Sequence, residues 1–376
     1  MGIYLNPSNE SFQEAVDSEI YVDKTGLIAF TNKRINTEQN SICVIRPRRF
    51  GKSTNLAMLA AYYSKGCDSR NLFAGLSIAS SESYSKHLNQ YNVIYINMQE
   101  LLCESRDVED MLQRLENRLF KDLHEADPEV ELDMDYGIAF GMQDYYYVKK
   151  VPFVILIDEW DCVMREHRND KESQKAYLDF LRNWLKDREY VALAYMTGIL
   201  PIKKFGTQSG LNMFDEYSLL SSGAIGKYVD FTADEVSELC QKYEVDFEQM
   251  KAWYGGYYLN GTELYCPDSV VKAVSSKKFG GYWTEKETYE VLEQYISMNF
   301  DGLLDTIEKL LAGQPQPVFT RTFSNDMVTF ANKDNVLTLL VHLGYLGYNA
   351  DDRTVYIPNK ETADEFVVSM KAAGFM

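Results

Sequence analysis

The clearest chemical signal in the chain lies in residues 42–53, Ile-Cys-Val-Ile-Arg-Pro-Arg-Arg-Phe-Gly-Lys-Ser. An apolar run ends in a short basic loop, and Gly51-Lys52-Ser53 then leads into an amphipathic helical pattern. A strand, a loop and a helix that begins at Lys-Ser form the layout of a phosphate-binding loop. There the lysine ammonium reaches the β- and γ-phosphates, and the next hydroxyl binds Mg²⁺. The segment therefore predicts a nucleoside triphosphate as ligand. The residues predicted to bind it are Arg46, Pro47, Arg48, Arg49, Phe50, Gly51, Lys52, Ser53 and Thr54.

This loop departs from the usual pattern at its start. The common form has glycine six residues before the lysine, and here that residue is Arg46. Pro47 removes one amide donor and pushes Arg46 toward extended geometry. Two interpretations of Arg48 and Arg49 stay open: they supply charge to the phosphates, or one of them braces the loop against an acidic neighbour.

A second candidate feature is the acidic pair at the end of the apolar run 153–157. An aspartate at the carboxyl end of a buried strand can hold Mg²⁺ through water, so Ser53 and Asp158 are the predicted metal ligands. Glu159 is the predicted catalytic base that orients and deprotonates the attacking water. Asp161 is either a helix cap or a further polar ligand. The alternative is an acidic strand end followed by a solvated loop, which the upstream phosphate loop disfavours.

A third candidate is Thr197, at the end of the apolar run 191–197. A polar residue at a neighbouring strand tip can touch the γ-phosphate or the water, so Thr197 joins Lys52 and Glu159 as a predicted catalytic residue. The alternative is a threonine that only ends a strand, since threonine favours strands. Arg182 and Arg188, on the helix before this strand, are candidates to stabilise the developing charge.

Alternating strands and helices must position these residues. Short apolar runs at 92–98, 151–157 and 191–197 predict strands covered on both faces. Helical periodicity follows Ser53 and recurs at 107–123 and 172–188. This order predicts an α/β fold of the P-loop NTPase type, with a parallel sheet covered by helices. We expect it to form a domain over residues 1–230.

The pattern changes to a mostly helical one near residue 230. Thr232 and Glu235 form a capping box that opens a helix to about residue 243. Asn260-Gly261 is a tight-turn signal, residues 313–317 predict a loop, and residues 345–358 predict a hairpin before a last helix. We expect residues 231–376 to form a helical, winged-helix-like second domain.

Composition and charge argue against several classes of protein. The chain has 376 residues and a net charge of −18, which disfavours non-specific nucleic-acid binding because an acidic surface repels phosphates. Residues 231–376 hold 22 acidic and 12 basic residues, a balance of −10, so a winged helix there is expected to pack or bind a partner rather than read DNA. Six scattered cysteines without a Cys-x-x-Cys motif predict neither a zinc site nor a redox pair. No transmembrane run or secretory signal is seen, so a cytoplasmic location without membrane association is expected.

Several motifs beyond the loop and the acidic pair follow one another in a familiar order. They are Tyr21-Val-Asp-Lys-Thr-Gly-Leu-Ile28, Arg46-Pro-Arg-Arg-Phe-Gly-Lys-Ser53, Leu72-Phe-Ala-Gly-Leu76, Ile157-Asp-Glu-Trp-Asp161, Thr197-Gly-Ile199, Ser209-Gly-Leu-Asn212, Trp253-Tyr-Gly-Gly-Tyr257 and Leu264-Tyr-Cys-Pro-Asp-Ser-Val270. In these motifs the chain resembles the bacterial AAA-ATPase-like family, whose ATPase domain often precedes a PD-(D/E)XK nuclease-like domain. The resemblance covers nearly the whole chain.

The resemblance implies an ATP-binding core followed by a small helical or winged-helix domain. An arginine in place of the loop glycine is characteristic of that family, so Arg46 does not indicate a dead site. The resemblance also implies that Tyr21 and Asp23 lie near the nucleotide, at the adenine; from the residues alone, Asp23 and Thr25 could simply cap a helix. No Asp…Glu-x-Lys arrangement follows the second domain, so the nuclease-like part is expected to be absent, by natural truncation or by truncation of the expressed chain.

The hypothesis that unites these features is Mg²⁺-dependent ATP binding and hydrolysis that drives a conformational switch. The alternatives are a nucleotide-dependent switch or scaffold that does not hydrolyse, and a nucleic-acid-associated regulator. The expected partners are the nucleotide and either another protein or further copies of the chain.

Overall fold

The computed structural model describes residues 2–202, 210–221, 223, 225–282, 289–323, 330 and 332–375. Contacts divide the chain into two units. The first comprises Met1–Val44, Lys52–Gly198 and Ile202–Glu216, and the second comprises Ile45–Gly51, Ile199–Pro201 and Tyr217–Met376. The seven residues directly before Lys52, Ile45–Gly51, thus belong to the second unit, which the sequence did not predict. The expectation that 1–230 and 231–376 are separate domains stays a prediction.

The first unit is built on a five-stranded sheet. Its strands are β1 Ser41–Ile45, β2 Asn92–Asn97, β3 Phe153–Asp158, β4 Val191–Gly198 and β5 Asp215–Tyr217, in the order β2-β3-β4-β1-β5. The pairs β2–β3 and β3–β4 are parallel. Every residue of β1, β3 and β4 is buried, as expected of a parallel sheet with helices on both faces. The predicted α/β fold with a parallel sheet is confirmed.

Strand order decides which residues can meet. β4 lies between β1, which leads into the phosphate loop, and β3, which ends in Asp158. Parallel strands place their carboxyl ends at one edge of the sheet. The residues that follow β1, β3 and β4 therefore converge at that edge.

Helices cover the sheet, and their ends follow the capping residues. The long helices begin after Asp107 and Asp170, whose carboxylates accept hydrogen bonds from backbone N–H groups of the first turn. The helices are α1 Glu10–Val16, α2 Gly26–Asn32, α3 Lys52–Tyr63, α4 Arg70–Phe73, α5 Tyr84–His87, α6 Met98–Cys103, α7 Val108–Ala126, α8 Ile138–Lys149, α9 Cys162–Glu166 and α10 Lys171–Leu185. The helix predicted at 172–188 ends earlier because Lys186 is extended and Asp187 has a φ of +54°.

The second unit is more helical, as predicted. Thr232 and Glu235 form the predicted capping box, and the helix runs over Ala233–Tyr243. The helices of the second unit, in the residues that the structure describes, are α11 Gly226–Val229, α12 Ala233–Tyr243, α13 Phe247–Tyr254, α14 Pro267–Ser276, α15 Tyr289–Met298, α16 Leu303–Leu311, α17 Lys333–His342 and α18 Lys360–Ala372. Short 3₁₀ turns cover Ser77–Ser80 in the first unit and Phe300–Gly302 and Thr320–Thr322 in the second.

Two small antiparallel sheets complete the second unit. β6 Phe231–Thr232, β7 Tyr257–Leu259 and β8 Thr262–Tyr265 form one, with the predicted turn at Asn260-Gly261, where both residues have positive φ. β9 Gln316–Pro317, β10 Gly347–Asn349 and β11 Thr354–Tyr356 form the other, which contains the predicted hairpin. The loop expected at 313–317 is therefore partly wrong, because Gln316 and Pro317 pair with β11. Pro317 is tolerated there because β9 is an edge strand. The winged-helix likeness stays a prediction.

Candidate functional site

The backbone turns sharply before α3. Arg49 and Gly51 both have left-handed conformations, with φ of +66° and +75°. A Cβ at Gly51 would lie 3.9 Å from the nearest atom, so the glycine is needed for its φ and not for space. After this turn α3 begins at Lys52, and backbone N–H groups at the start of a helix are the kind that bind phosphate oxygens.

Three oxygen-bearing side chains meet at the end of β3. The Ser53 hydroxyl donates to Asp158 Oδ2 at 2.5 Å, and the Thr197 hydroxyl donates to Asp158 Oδ1 at 2.5 Å. The backbone N–H of Glu159 also donates to Asp158 Oδ1, at 3.0 Å. Asp158 is wholly buried, whereas Ser53 is exposed. These contacts hold the Asp158 carboxylate in one orientation beside an accessible hydroxyl.

Glu159 lies between two cations. Its Oε1 is 3.8 Å from Lys52 Nζ, and its Oε2 is 2.5 Å from Arg165 Nη2. Burial raises the pKa of Glu159, and the charges of Lys52 and Arg165 oppose that rise. Burial lowers the pKa of Lys52, and the charge of Glu159 opposes that fall. The lysine predicted to bind phosphate thus faces the glutamate predicted to activate water.

The donor set suits a magnesium ion. Mg²⁺ prefers oxygen ligands and is held in nucleotide sites through one or two protein groups, with phosphates and water supplying the rest. Ser53 Oγ and Asp158 Oδ2 are adjacent hard oxygens, so they fit this role. Within the part of the chain that the structure describes, no cluster of three or more His, Cys, Asp or Glu side chains offers a metal an all-protein site.

The first residues of the loop are held differently, by partners within the second unit. Arg46 and Asp230 form an ion pair at 2.8 Å in which both side chains are wholly buried. The Arg46 Nη1 atom donates to the carbonyl oxygens of Ile45 and Tyr217. The guanidinium of Arg46 thus binds a buried carboxylate, and the binding of nucleotide by Arg46 stays a prediction.

Arg49 and Phe50 also have structural partners. Arg49 Nη1 donates to the carbonyl oxygen of Tyr282 at 2.8 Å and lies 3.4 Å from Asp268 Oδ2. The ring of Phe50, which is buried, packs edge-on against Tyr257. For Arg49 these contacts favour the bracing interpretation that the sequence left open. Arg48 is half-buried, and its role stays a prediction.

Tyr21 and Asp23 form part of a separate local structure. Asp23 accepts hydrogen bonds from the N–H and hydroxyl of Thr25 and from the N–H and hydroxyl of Ser77. Tyr21 packs edge-on against Phe12, with ring centroids 6.2 Å apart. Asp23 therefore fixes the chain before α2, and the proximity of both residues to an adenine stays a prediction.

The residue that sequence reasoning missed is Arg165 on α9. The arginines suggested as charge stabilisers have other contacts: Arg182 pairs with Asp179 on its own helix, and Arg188 donates to the carbonyl oxygen of Asn183. Arg165 instead is 7% exposed and contacts Glu159. One sequence signal could have found it, because Arg165 stands four residues after Asp161, at the spacing of a helical ion pair.

Comparison with known proteins identifies the class. The chain belongs to the AAA-ATPase-like family of predicted AAA-ATPases, whose model matches residues 9–207. This confirms the resemblance noted in the sequence, and the match contains the loop, the acidic pair and Thr197.

The individual proteins that resemble the chain share limited sequence identity with it. An uncharacterized protein encoded in the vnfD 5′ region of Azotobacter chroococcum mcd 1 is 27% identical over 278 residues, which is 72% of this chain and 51% of that protein. The chain thus spans about half the length of this curated relative. The Walker-type ATPase PABY2304 of Pyrococcus abyssi has 12% identity and a TM-score of 0.46, with 92% of this chain and 94% of that chain covered. The ORC2 protein of Aeropyrum pernix, in ADPNP–ADP complexes, has 11% identity and a TM-score of 0.38, with 98% of each chain covered. At these TM-scores the similarity implies nothing about function.

The helices also bear on the expected absence of a membrane span. None of the helices in the described residues is long and apolar enough to cross a bilayer. The compartment and the partners stay predictions.

Proposed function

We propose that the protein binds ATP with Mg²⁺ at the start of α3 and hydrolyses it, and that the reaction drives a conformational switch. The observation that carries the proposal is the meeting of two chain segments more than 100 residues apart. Ser53 Oγ lies 2.5 Å from Asp158 Oδ2, and Lys52 Nζ lies 3.8 Å from Glu159 Oε1. The nearness of this cation, hydroxyl and pair of carboxylates supports phosphoryl transfer to water as the reaction.

Each side chain has a distinct role in this proposal. Lys52 moves from Glu159 to the β- and γ-phosphates, and the α3 N–H groups hold phosphate oxygens. Ser53 and Asp158 would hold Mg²⁺, which would supply positive charge against the negative charge that develops on the phosphates. Thr197 orients the Asp158 carboxylate through its 2.5 Å hydrogen bond. Glu159 accepts a proton from the attacking water, and burial suits it to this role because a raised pKa makes it a stronger base.

The proposed switch would begin at α3. Lys52, at the start of this helix, lies 3.8 Å from Glu159 Oε1, and Arg165 holds the other oxygen of that carboxylate. Binding of the γ-phosphate would draw the Lys52 ammonium away from Glu159, and loss of the γ-phosphate would restore the contact.

A second candidate function is a nucleotide-dependent switch without appreciable hydrolysis. Its specific support lies in the loop, where Pro47 contributes no N–H and the Arg46 guanidinium is bound to Asp230. Such a cradle could bind a triphosphate and leave the γ-phosphate poorly oriented for attack. A nucleic-acid-associated regulator has no comparable support, given the acidic second half of the chain.

Two measurements separate these candidates. Isothermal titration with ATP, ADP and GTP, each with and without Mg²⁺, measures binding and base preference. Steady-state phosphate release from the wild type and from Glu159→Gln measures turnover, which should fall by about 10²- to 10⁴-fold in the variant. Tight Mg²⁺-dependent ATP binding without phosphate release would favour the second candidate. No binding of any nucleotide would refute both.

A further inference from the structure

Arg165 occupies a position that neither the sequence motifs nor the proposed mechanism accounts for. It lies on α9, directly after the acidic pair, and its side chain is 7% exposed. Nη2 donates to Glu159 Oε2 at 2.5 Å and to Gln99 Oε1 at 3.1 Å, and Nε lies 3.4 Å from Asp161 Oδ1. One guanidinium therefore connects Glu159 to residues that follow β2 and β3.

The two oxygens of Glu159 have different neighbours. Oε1 faces Lys52 at 3.8 Å, a contact too long for a strong hydrogen bond, whereas Oε2 is held by Arg165 at 2.5 Å. A triphosphate would draw the Lys52 ammonium toward phosphate and leave Oε1 open. Arg165 has no such competitor in the mechanism, so its bond to Oε2 persists. The carboxylate then keeps one oxygen fixed and presents the other to water.

We infer that Arg165 is a positioning residue for ATP hydrolysis. Its guanidinium holds Oε2 of Glu159, so that Oε1 faces the attacking water. This inference rests on the proposed function of Glu159. Gln99 supports it as an anchor for the guanidinium, since its amide oxygen accepts from the same Nη2 atom that holds Glu159. The backbone of Glu159 adds to the need for such support, because its φ of +51° is unusual for a residue with a side chain.

A purely structural role for the same ion pairs is the competing interpretation. Arg165 is also near Asp161, and a buried arginine between carboxylates can serve the fold alone. The two interpretations differ in what they predict for kinetics. A positioning role lowers kcat, leaves the KM for ATP nearly unchanged and depends on the presence of Glu159. A structural role lowers the amount of folded protein and affects ATP binding and turnover alike.

The test measures kcat and KM for ATP in Arg165→Met, Arg165→Lys and Gln99→Ala, with Arg114→Met as the control. Arg114 forms an exposed ion pair with Asp110 on α7, so its replacement should leave both constants unchanged. Arg165→Met should lower kcat by about 10- to 100-fold, the loss typical of a misplaced catalytic group, with KM within about threefold. Arg165→Lys, which keeps the charge and loses the planar fork, should fall between the wild type and Arg165→Met.

A double-mutant cycle links the effect to Glu159. In a Glu159→Gln background, Arg165→Met should cause almost no further loss, because residues that act as one unit are not additive. An equal loss in both backgrounds would overturn the inference, as would wild-type kcat in Arg165→Met. If Arg165→Met fails to fold by circular dichroism, Gln99→Ala decides, with a two- to fivefold lower kcat as the supporting result (about 0.4–1 kcal/mol) and an unchanged kcat as the opposing one. Absence of turnover in the wild type would refute the proposed hydrolysis itself, and Arg165 with it, whereas turnover that ignores Arg165 refutes only this inference.

Discussion

The two ends of the segment 46–53 are held in contrasting ways. At its start, Arg46 and Asp230 are both wholly buried within the second unit, and the guanidinium also donates to two carbonyl oxygens. At its end, within the first unit, Lys52 is 3.8 Å from Glu159 and Ser53 is exposed. One end is fixed by short buried contacts, and the other is held by contacts that a ligand can replace.

This difference shows how a loop without its usual first glycine can keep its shape. Glycine at that position would let the backbone approach a phosphate closely, at the cost of conformational entropy. Here the side chain of Arg46 holds the start of the loop by pairing with Asp230, which lies outside the loop. The left-handed residues Arg49 and Gly51 make the turn. The anchoring and the phosphate chemistry are thus assigned to different residues, and substitutions can test each separately.

The largest effect is expected from breaking the buried anchor. Asp230→Ala leaves the Arg46 guanidinium buried without its carboxylate, which should lower the free energy of unfolding by about 3–5 kcal/mol. Replacement of both partners, as in Arg46→Met with Asp230→Leu, should be close to neutral because no buried charge is left. Urea unfolding followed by circular dichroism measures both. The control is Arg49→Met, whose half-buried pair with Asp268 should contribute no more than about 1 kcal/mol. Equal losses in Asp230→Ala and Arg49→Met would contradict the contrast drawn above.

Substitution of Lys52, at the opposite end of the segment, should affect ligand binding more than folding. Lys52→Met removes the ammonium expected at the phosphates, which should weaken ATP binding by roughly 10- to 150-fold, since hydrogen bonds to charged groups contribute about 1.5–3 kcal/mol. Glu159 keeps its contact with Arg165, so the stability should change little. Isothermal titration measures the affinity, and Lys121→Met on the exposed face of α7 is the control. An unchanged affinity in Lys52→Met would place the nucleotide elsewhere.

The features that could be predicted from sequence are those with a local cause. Strands appeared as apolar runs, the helix at Ala233 as a capping box and the turn at 260–261 as Asn-Gly, because each depends on residues close together in the chain. The residues Ser53, Asp158 and Thr197 could be predicted to meet, since parallel strands bring their carboxyl ends to one edge.

The anchors could not be predicted in the same way. Arg46 and Asp230 are 184 positions apart, and no periodicity joins them. The pairing of Gln316 and Pro317 with β11 likewise depends on where the hairpin packs. Arg165 falls between these two cases. Its ion pair with Asp161 could be predicted from their spacing of four residues, whereas its contact with Glu159 could not. Local sequence patterns thus predicted the candidate reactive groups, and tertiary packing determines which cations contact them.

A third prediction concerns pH and the second unit alone. His342 on α17 is 3% exposed and stacks on Phe323, and burial lowers the pKa of its imidazole to about 3. The unfolded chain, with a histidine pKa near 6.5, binds the proton first as the pH falls. The resulting loss of stability is absent above pH 6.5 and grows toward pH 3, at about 1.4 kcal/mol per pH unit, hence roughly 2 kcal/mol at pH 5. His342→Leu should remove this part of the acid dependence in urea unfolding at pH 7.5 and 5. Equal slopes in both proteins would show that His342 is protonated without cost.

The smallest effect is expected from Thr197, near the end of β4, and it tests how this residue acts. Thr197→Val is nearly isosteric and removes only the hydroxyl that donates to Asp158 Oδ1. The loss of one hydrogen bond to a carboxylate that keeps two other donors should cost about 1 kcal/mol. If Asp158 orientation matters for Mg²⁺, that cost should appear as a roughly fivefold weaker affinity for ATP with Mg²⁺, and affinity without Mg²⁺ should stay the same. Thr306→Val, which removes a hydroxyl bonded to the Gly302 carbonyl in the second unit, is the control and should change neither affinity. A fall in affinity that is equal with and without Mg²⁺ would mean that Thr197 acts on the nucleotide or the fold and not through the metal ligand.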